Sequence, residues 1–481
     1  MLLTVDIGTS FFKSALWNFE GDGLGCSRAG FASAPLSIDI HDGLRHETDS
    51  SQWLKAFANC CSRLFTAASP ASVEAVVISG NGPSLAPVFG PPVYSSENLS
   101  APAAPARLWL DRRAVQAAQQ VSALAGGFVD AGFFLPKALD IKINEPELYE
   151  KTGFFLGCPE LLMYTLTGAA RTIFPSDGFD RWFWNDAILD ALHLDRDKFP
   201  SFIRPGEICG GLTAQAASLF GLNAGIPVIA GGPDFYAAIL GSGVSKPGQV
   251  CDRAGTSEGI NVCTETCITD NRLMSYRHPV KPFWNLSGVI STTGKAIEWG
   301  CRFLGLSTVH EFLLLAETAD AGSGDLVFLP YLAGERAPLW DPAARGLLRG
   351  INLSSGRPEF ARAVLEGIGF AIRDIIAVME DAGAVVHVLF TAGSGGAGGL
   401  LNHIKADITG KPLHIPQQKE TELLGLAVIG ACTLGKYPSL AEAASSLVQT
   451  EETITPNVKN AELYDTLFMK YKKMKLCVRG E

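Results

Sequence analysis

Charge is scarce in this chain. Asp, Glu, Lys and Arg make up 18% of its 481 residues, with 39 basic and 49 acidic groups giving a net charge of −10. So little charge beside an apolar share of 47% excludes a disordered chain and a coiled coil. A basic stripe is missing too, which argues against a nucleic-acid partner. That argument does not touch a phosphorylated small molecule, which needs only local donors. No apolar stretch reaches eighteen residues, and the opening MLLTVDIGTS has neither a charged start nor a long apolar centre. A soluble cytoplasmic protein with no membrane partner is therefore expected. Paired cysteine spacing is also lacking. The eleven cysteines are scattered, Cys60 and Cys61 are adjacent, and Cys263, Cys267 and His278 have no second ligand pair behind them. Reduced thiols are expected, not a disulfide framework or a zinc site. The sequence Gly-x4-Gly-Lys-Ser/Thr does not occur, so there is no P-loop.

Glycine, by contrast, is plentiful. The chain carries 51 glycines, well above an average share of about 7%. Short apolar runs at Leu2–Val5, Val73–Ile78, Ile226–Ala230 and Val385–Phe390 alternate with longer helical segments, which predicts an α/β fold. The clearest helix is Glu359–Glu380, with apolar residues from Phe360 to Met379 at three- and four-residue steps. Pro87–Pro105 reads as a surface loop, and Gly241–Gly248 as a boundary between domains. The basic segment Ala461–Leu476 has helical spacing and is expected to dock on its own domain.

Four glycine turns each follow an apolar run. They are Asp6–Ser10, Gly231–Asp234, Gly255–Gly259 and Gly393–Gly399. Glycine after a strand lets backbone N–H groups approach a ligand, and successive inward N–H groups bind anions. Gly8-Thr9-Ser10 and Gly255-Thr256-Ser257 repeat one pattern about half a chain apart, which suggests a duplicated unit presenting two phosphate turns. Gly393–Gly398 also satisfies G-x-G-x-x-G, but it lies late in the chain and has no acidic residue clearly at the expected distance. A nicotinamide oxidoreductase is the minor alternative.

Read in order, these motifs resemble the FGGY family of carbohydrate kinases. Asp6–Ser10 with Lys13 resembles the first phosphate motif, Trp109–Arg113 the W-x-D-x-R segment, and Gly231–Asp234 the catalytic turn. Gly255–Gly259 resembles the second phosphate motif, Gly334–Pro338 with Trp340-Asp341-Pro342 a signature of the second domain, and Thr391–Gly396 the adenosine motif. The resemblance implies two actin-like (ribonuclease H-like) domains with ATP and Mg²⁺ in the cleft between them. The domains expected are 1–242, with the sugar site and first phosphate motif, and 243–481, with the second phosphate and adenosine motifs. The reaction it implies is transfer of the γ-phosphoryl of ATP to a sugar or polyol, with a ketopentose such as xylulose as the leading choice. A homodimer is a family-level expectation.

Asp234 is the candidate general base, because a sugar hydroxyl is a poor nucleophile and a carboxylate in reach can take its proton. A turn aspartate that only caps the next helix is the competing reading. Asp6 is the candidate Mg²⁺ carboxylate. Gly8, Thr9, Ser10, Gly255, Thr256 and Ser257 would bind phosphate, with Lys13 as a point charge. Gly393, Ser394, Gly395 and Gly396 would lie under the adenosine; Asn402 would reach the nucleotide or stand on a helix surface. Asn81, Gly82, Trp109, Asp111 and Phe235 are the candidate substrate contacts, with Trp109 either stacked on the sugar or buried in the core. Asp111 and Arg112 are expected to pair. Here the chain departs from the resemblance: Asn81-Gly82-Pro83-Ser84 stands where xylulose-type kinases carry Gln-Met-His-Gly, and Phe235 where Gln or Asn is usual. These departures keep open a nucleotide- or sugar-binding regulator on the same fold. Glu258, inside the second phosphate turn, either ligates metal or points away.

Overall fold

The computed structural model describes residues 1–19, 25–66, 68–94, 99–100, 103–393 and 399–478. They divide into two compact units, Met1–Leu240 with Glu422–Leu447, and Gly241–Thr421 with Val448–Glu481.

The first unit is built on six strands: β1 (Leu2–Ile7), β2 (Phe11–Phe19), β3 (Cys26–Pro35), β4 (Ala75–Gly80), β5 (Ile208–Gly211) and β6 (Pro227–Pro233). Their spatial order is β5-β6-β4-β1-β2-β3. Strands β1, β4 and β6 are parallel, and the outer pairings are antiparallel. Every residue of β1 and β4 is buried, which explains their largely apolar runs, with Thr4, Asp6 and Ser79 as the buried polar exceptions. Helices α1 (Ser51–Leu64), α2 (Phe134–Asn144), α3 (Cys158–Thr167) and α4 (Asp234–Gly241) belong to this unit.

The second unit repeats the plan. Its strands are β7 (Gln249–Ala254), β8 (Glu258–Thr264), β9 (Met274–Arg277), β10 (Trp284–Ile290), β11 (Val388–Ala392), β12 (Leu413–Pro416) and β13 (Thr450–Ile454). The order is β9-β10-β8-β7-β11-β12-β13. With β9 set aside, β10-β8-β7-β11-β12-β13 matches β3-β2-β1-β4-β6-β5 in order and in the sense of every pairing. Its helices used below are α5 (Gly294–Phe303), α6 (Arg357–Asp381), α7 (Gly399–Thr409) and α9 (Ala461–Lys475), while α8 (Thr421–Thr433) belongs from Glu422 on to the first unit.

Helix α6 extends the expected Glu359–Glu380 at both ends. Pro358 sits in its first turn, and Glu359 accepts from the Gly356 N–H at 2.9 Å. Strand β11 starts later than the expected Val385, which is solvent-exposed. The expected loop at Pro87–Pro105 is in part structured: Ala86–Val88 is a buried strand paired with Phe154–Leu156. Helix α9 docks on its own unit through buried Tyr464, Leu467 and Tyr471, with Tyr471 bonded to Tyr331 at 2.8 Å. An expected division at 242/243 does not anticipate the return of Glu422–Leu447 to the first unit. That return rests on close packing, with Gly425 against the Ala237 backbone and Gly430 against Val77 and Leu2. None of the eleven cysteines forms a disulfide. Among the described residues no helix is long and apolar enough to cross a membrane.

Candidate active site

In the first unit, β1, β4 and β6 end side by side, with Ile7 paired to Gly80 and Gly80 to Pro233. Carboxyl ends of parallel strands are where open α/β sheets bind ligands. Asp6 lies one residue before the end of β1 and is 6% exposed. Its Oδ1 accepts from Ser79 Oγ at 2.8 Å, and its register partner on β2 is the half-buried Lys13. Gly8, Thr9 and Ser10 form the turn into β2, closed by the Gly8 N–H on the Phe11 carbonyl at 3.0 Å. Asp234 opens α4 directly after β6 and is half-buried. Its Oδ1 accepts from the Phe235 N–H at 2.7 Å, which fixes the carboxylate to the first turn of the helix. Burial, then the carboxylates of Glu160, Asp6 and Asp234, push the Cys158 thiol well up. Asp6 and Asp234 are therefore within electrostatic reach of one side chain.

The expected substrate contacts divide. The half-buried Trp109 donates its indole N–H to Thr9 Oγ1 at 2.9 Å, which ties it to the first phosphate turn. Asn81 is 4% exposed and turned inward: its backbone N–H and Nδ2 both donate to the Ile7 carbonyl at 2.8 Å, and its Oδ1 accepts from Ser84 at 2.7 Å. It staples β4 to β1. Gly82 follows in the same turn. Asp111 is fully buried and pairs with Arg113, not with Arg112 as expected. It takes the Arg113 Nη2 at 2.7 Å and the His46 N–H at 3.0 Å, while Arg112 reaches Asp130 at 3.4 Å. The reason is reach, because the Arg112 guanidinium turns back onto the Trp109 carbonyl. Burial opposes ionisation of Asp111, but the Arg113 and backbone bonds outweigh it and lower its pKa.

Phe235 lies in a row of rings that sequence reasoning missed. It stacks on Phe179 (5.9 Å between centroids), Phe179 meets Trp182 (5.3 Å), and Trp182 stacks on Phe133 (5.9 Å). All four are only partly buried. The crowding of Phe179, Trp182, Phe183 and Trp184 was the available signal.

In the second unit, Gly255, Thr256 and Ser257 form the turn from β7 to β8, with Gly255 N–H on Ser257 O at 2.9 Å and Thr256 exposed. The segment before α5 straps this turn. The Thr293 N–H donates to Thr256 O at 3.2 Å and the Gly294 N–H to Gly255 O at 3.0 Å. A Cβ at Gly294 would meet Gly255 O at 2.5 Å. Glu335 holds the strap from behind, its Oε1 taking the Ser291 and Arg336 N–H groups at 2.7 Å. Burial pushes Glu335 up to about 7, against the lowering effect of those bonds. Gly393, at φ 76°, follows β11 and lies on the Ala254 carbonyl, so the adenosine-motif turn abuts the second phosphate turn. Ser394, Gly395 and Gly396 lie outside the described residues. Asn402 is fully buried on α7, which rules out a helix-surface position.

Glu258 points inward. It pairs with Lys405, which also binds Asp252 at 2.7 Å, and all three are at most 1% exposed. Burial alone would lower the Lys405 ammonium, but the two carboxylates hold it above its ordinary value. Burial and the Asp252 charge raise Glu258 in spite of Lys405. Lys405 was missed because 147 residues separate it from Glu258. Among the described residues no cluster of three or more His, Cys, Asp or Glu could cage a metal. Magnesium needs no such cage, since it takes one or two carboxylates and completes its shell with phosphate and water. Asp6, with one oxygen anchored on Ser79, fits that demand.

Comparison with known proteins gives the class. Residues 1–241 match the N-terminal domain of the FGGY family of carbohydrate kinases, and residues 253–434 its C-terminal domain. The chain belongs to this family, and with it to the ATP-dependent carbohydrate kinases. It is 28% identical to the xylulose kinase of Escherichia coli (strain K12) over 428 residues, 86% of each chain. It is 29% identical to that of Bacillus subtilis (strain 168) over 352 residues, 71% of this chain and 70% of the relative. The xylulose kinase structure from Rhodospirillum rubrum superposes with a TM-score of 0.82 at 25% identity, covering 99% and 98% of the two chains. These likenesses make the fold the two-domain, actin-like one.

Proposed function

We propose that this kinase phosphorylates a ketopentose or a closely related sugar, with Asp234 as the general base. The acceptor is assigned to the first unit and the nucleotide to the turns Gly255–Ser257 and Gly393, with Gly8–Ser10 donating to the phosphates. Asp234 takes the proton of the attacking hydroxyl. The substrate oxygen bonds to the γ-phosphorus as the bond from that phosphorus to the β-phosphate oxygen breaks, and ADP leaves with its electron pair. Thr9, Ser10 and Thr256 supply hydroxyls, and the turns supply N–H groups, where negative charge spreads. Lys13 adds positive charge beside Asp6. Mg²⁺, held by Asp6, would neutralise phosphate charge when it enters with ATP. Asn81 and Asp111 act as positioning residues. What supports this reading most is the gathering of Asp6, Gly8–Ser10 and Asp234 at the adjoining ends of β1 and β6 on either side of β4.

The test is ADP formation with ATP, Mg²⁺ and a panel of ketopentoses, with gluconate and glycerol as comparators. A ketopentose or one of its analogues is expected to give the highest kcat/KM. A larger value for gluconate or glycerol overturns the ketopentose assignment.

A further inference from the structure

We propose that the row Phe235–Phe179–Trp182–Phe133 selects an acceptor sugar that is deoxygenated on the side facing Phe235. This rests on the assignment of Asp234 as the base, since that residue fixes where the reacting hydroxyl sits.

Three observations carry the argument. Phe235 follows Asp234 directly, and its backbone N–H holds the Asp234 carboxylate, so the two residues share the first turn of α4. The ring has no group that can pair with a hydroxyl, and its neighbours Phe179 and Trp182 continue an apolar wall. At the far end of the row, Gly132, next to Phe133, lies against the Trp109 carbonyl and the Arg112 guanidinium. The wall thus runs from the catalytic turn to the segment of Trp109, whose indole is bonded to Thr9. All four rings keep some solvent exposure, as the lining of a binding surface does and a sealed core does not.

The chemistry of such a wall is one-sided. A hydroxyl pressed against Phe235 loses its water without gaining a partner. A C–H bond or methyl group at the same place gains ring contact. A hydrophobic pocket discriminates against an added hydroxyl by only about 10²-fold. The expected preference is thus graded, with the fully hydroxylated sugar remaining a slow substrate.

The experiment compares D-xylulose with its monodeoxy analogues in the ADP assay on the full chain, as kcat/KM for wild type, Phe235→Gln and Phe235→Leu. In wild type, one deoxy analogue is expected to exceed the parent by about 10- to 100-fold. Phe235→Gln should cut that ratio at least about tenfold, because its amide can pair with the hydroxyl. Phe235→Leu should keep most of it. Phe179→Leu, one ring further out, should lower the ratio less than Phe235→Gln and serves if the latter misfolds. A wild-type enzyme that prefers the parent, or a ratio that Phe235→Gln leaves unmoved, overturns the proposal. Asp234→Asn in parallel separates the two readings: full activity there with a ratio that still responds to Phe235→Gln overturns the base and spares the wall. Where turnover is too slow to measure, calorimetric Kd values for the same sugars give the same ratio, and no binding by any of them overturns the proposal.

Discussion

The two glycine turns share a scaffold and differ in what stands beneath them. Each joins a strand at the centre of its sheet to an antiparallel neighbour, Gly8–Ser10 between β1 and β2 and Gly255–Ser257 between β7 and β8. The first is braced by two indole hydrogen bonds. Trp109 bonds Thr9, and deeper in the hairpin Trp17 bonds Thr4 at 2.8 Å. The second is supported by ions, with Lys405 between Asp252 and Glu258, and by the strap at Thr293–Gly294. Two residues before the glycine, the first turn has Asp6 and the second Arg253. The two units therefore share a backbone plan, while the charge two residues before the glycine differs. Phosphate is proposed at both turns, and the carboxylate of the first is the one proposed to hold Mg²⁺.

If the first unit holds the reacting acceptor, the largest effect comes from its base. Asp234→Asn should lower kcat by about 10²- to 10⁴-fold, with ATP affinity measured by calorimetry unchanged. Normal turnover by this variant would remove the chemistry from the first unit.

The next effect tests the ionic support. Lys405→Met leaves two carboxylates buried without their cation, which costs about 3–5 kcal/mol. Hydrogen exchange should show lost protection in Gln249–Thr264, while Leu2–Phe19 keeps its own. Equal loss in both segments would mean that the triad does not belong to the second turn in particular.

How much of this is legible in the sequence follows from where the information sits. The duplicated turns, the strands before them and helix α6 are readable, because periodicity and glycine placement are local. The pairing of Glu258 with Lys405 is not, since no local pattern marks a lysine on an apolar helix face as an ion-pair partner. The sequence marks Asp111 as a pairing residue but points to the wrong arginine, as Arg112 and Arg113 differ only in direction. Phe235 is visible as an oddity. Its ring partners require the fold, because Phe179 is 56 residues away in the chain. The strap at Thr293–Gly294 carries no unusual residue at all.

A symmetric test exists in pH. Each unit buries a glutamate, Glu160 in the first and Glu335 in the second, that burial pushes from 4.5 up to about 7, and in the second unit burial raises Glu258 as well. Between those values the unfolded chain has lost the proton and the folded chain keeps it. Each unit should therefore lose stability as pH rises through that window, by up to about 3 kcal/mol, and level off above about pH 7. Glu160→Gln should flatten the profile of the first unit, and Glu335→Gln should reduce the slope of the second, where Glu258 keeps a share, followed by hydrogen exchange at several pH values. Flattening of both profiles by one substitution would show that the units do not respond separately.

Gly294→Ala is the next smaller perturbation. The new methyl group meets Gly255 O at 2.5 Å, so the strap or the turn must shift. Displacement of a binding group by a fraction of an ångström should raise KM for ATP by about tenfold and move KM for the sugar little. An equal rise in both would break the division of labour between the units.

The smallest effect belongs to the Gly8–Ser10 turn. Trp109→Phe removes the hydrogen bond to Thr9 and keeps a smaller aromatic ring. Thr9 is partly exposed, so water can replace the indole N–H. The loss should be about 0.5–1.5 kcal/mol, well below that of Lys405→Met. Kinetically, both KM values should rise a few-fold together if Thr9 binds phosphate and Trp109 contacts the acceptor as proposed. A larger cost than that of Lys405→Met would reverse the comparison: the neutral pair would then be the stronger anchor, and the ionic triad would serve to orient the second turn without stabilising it.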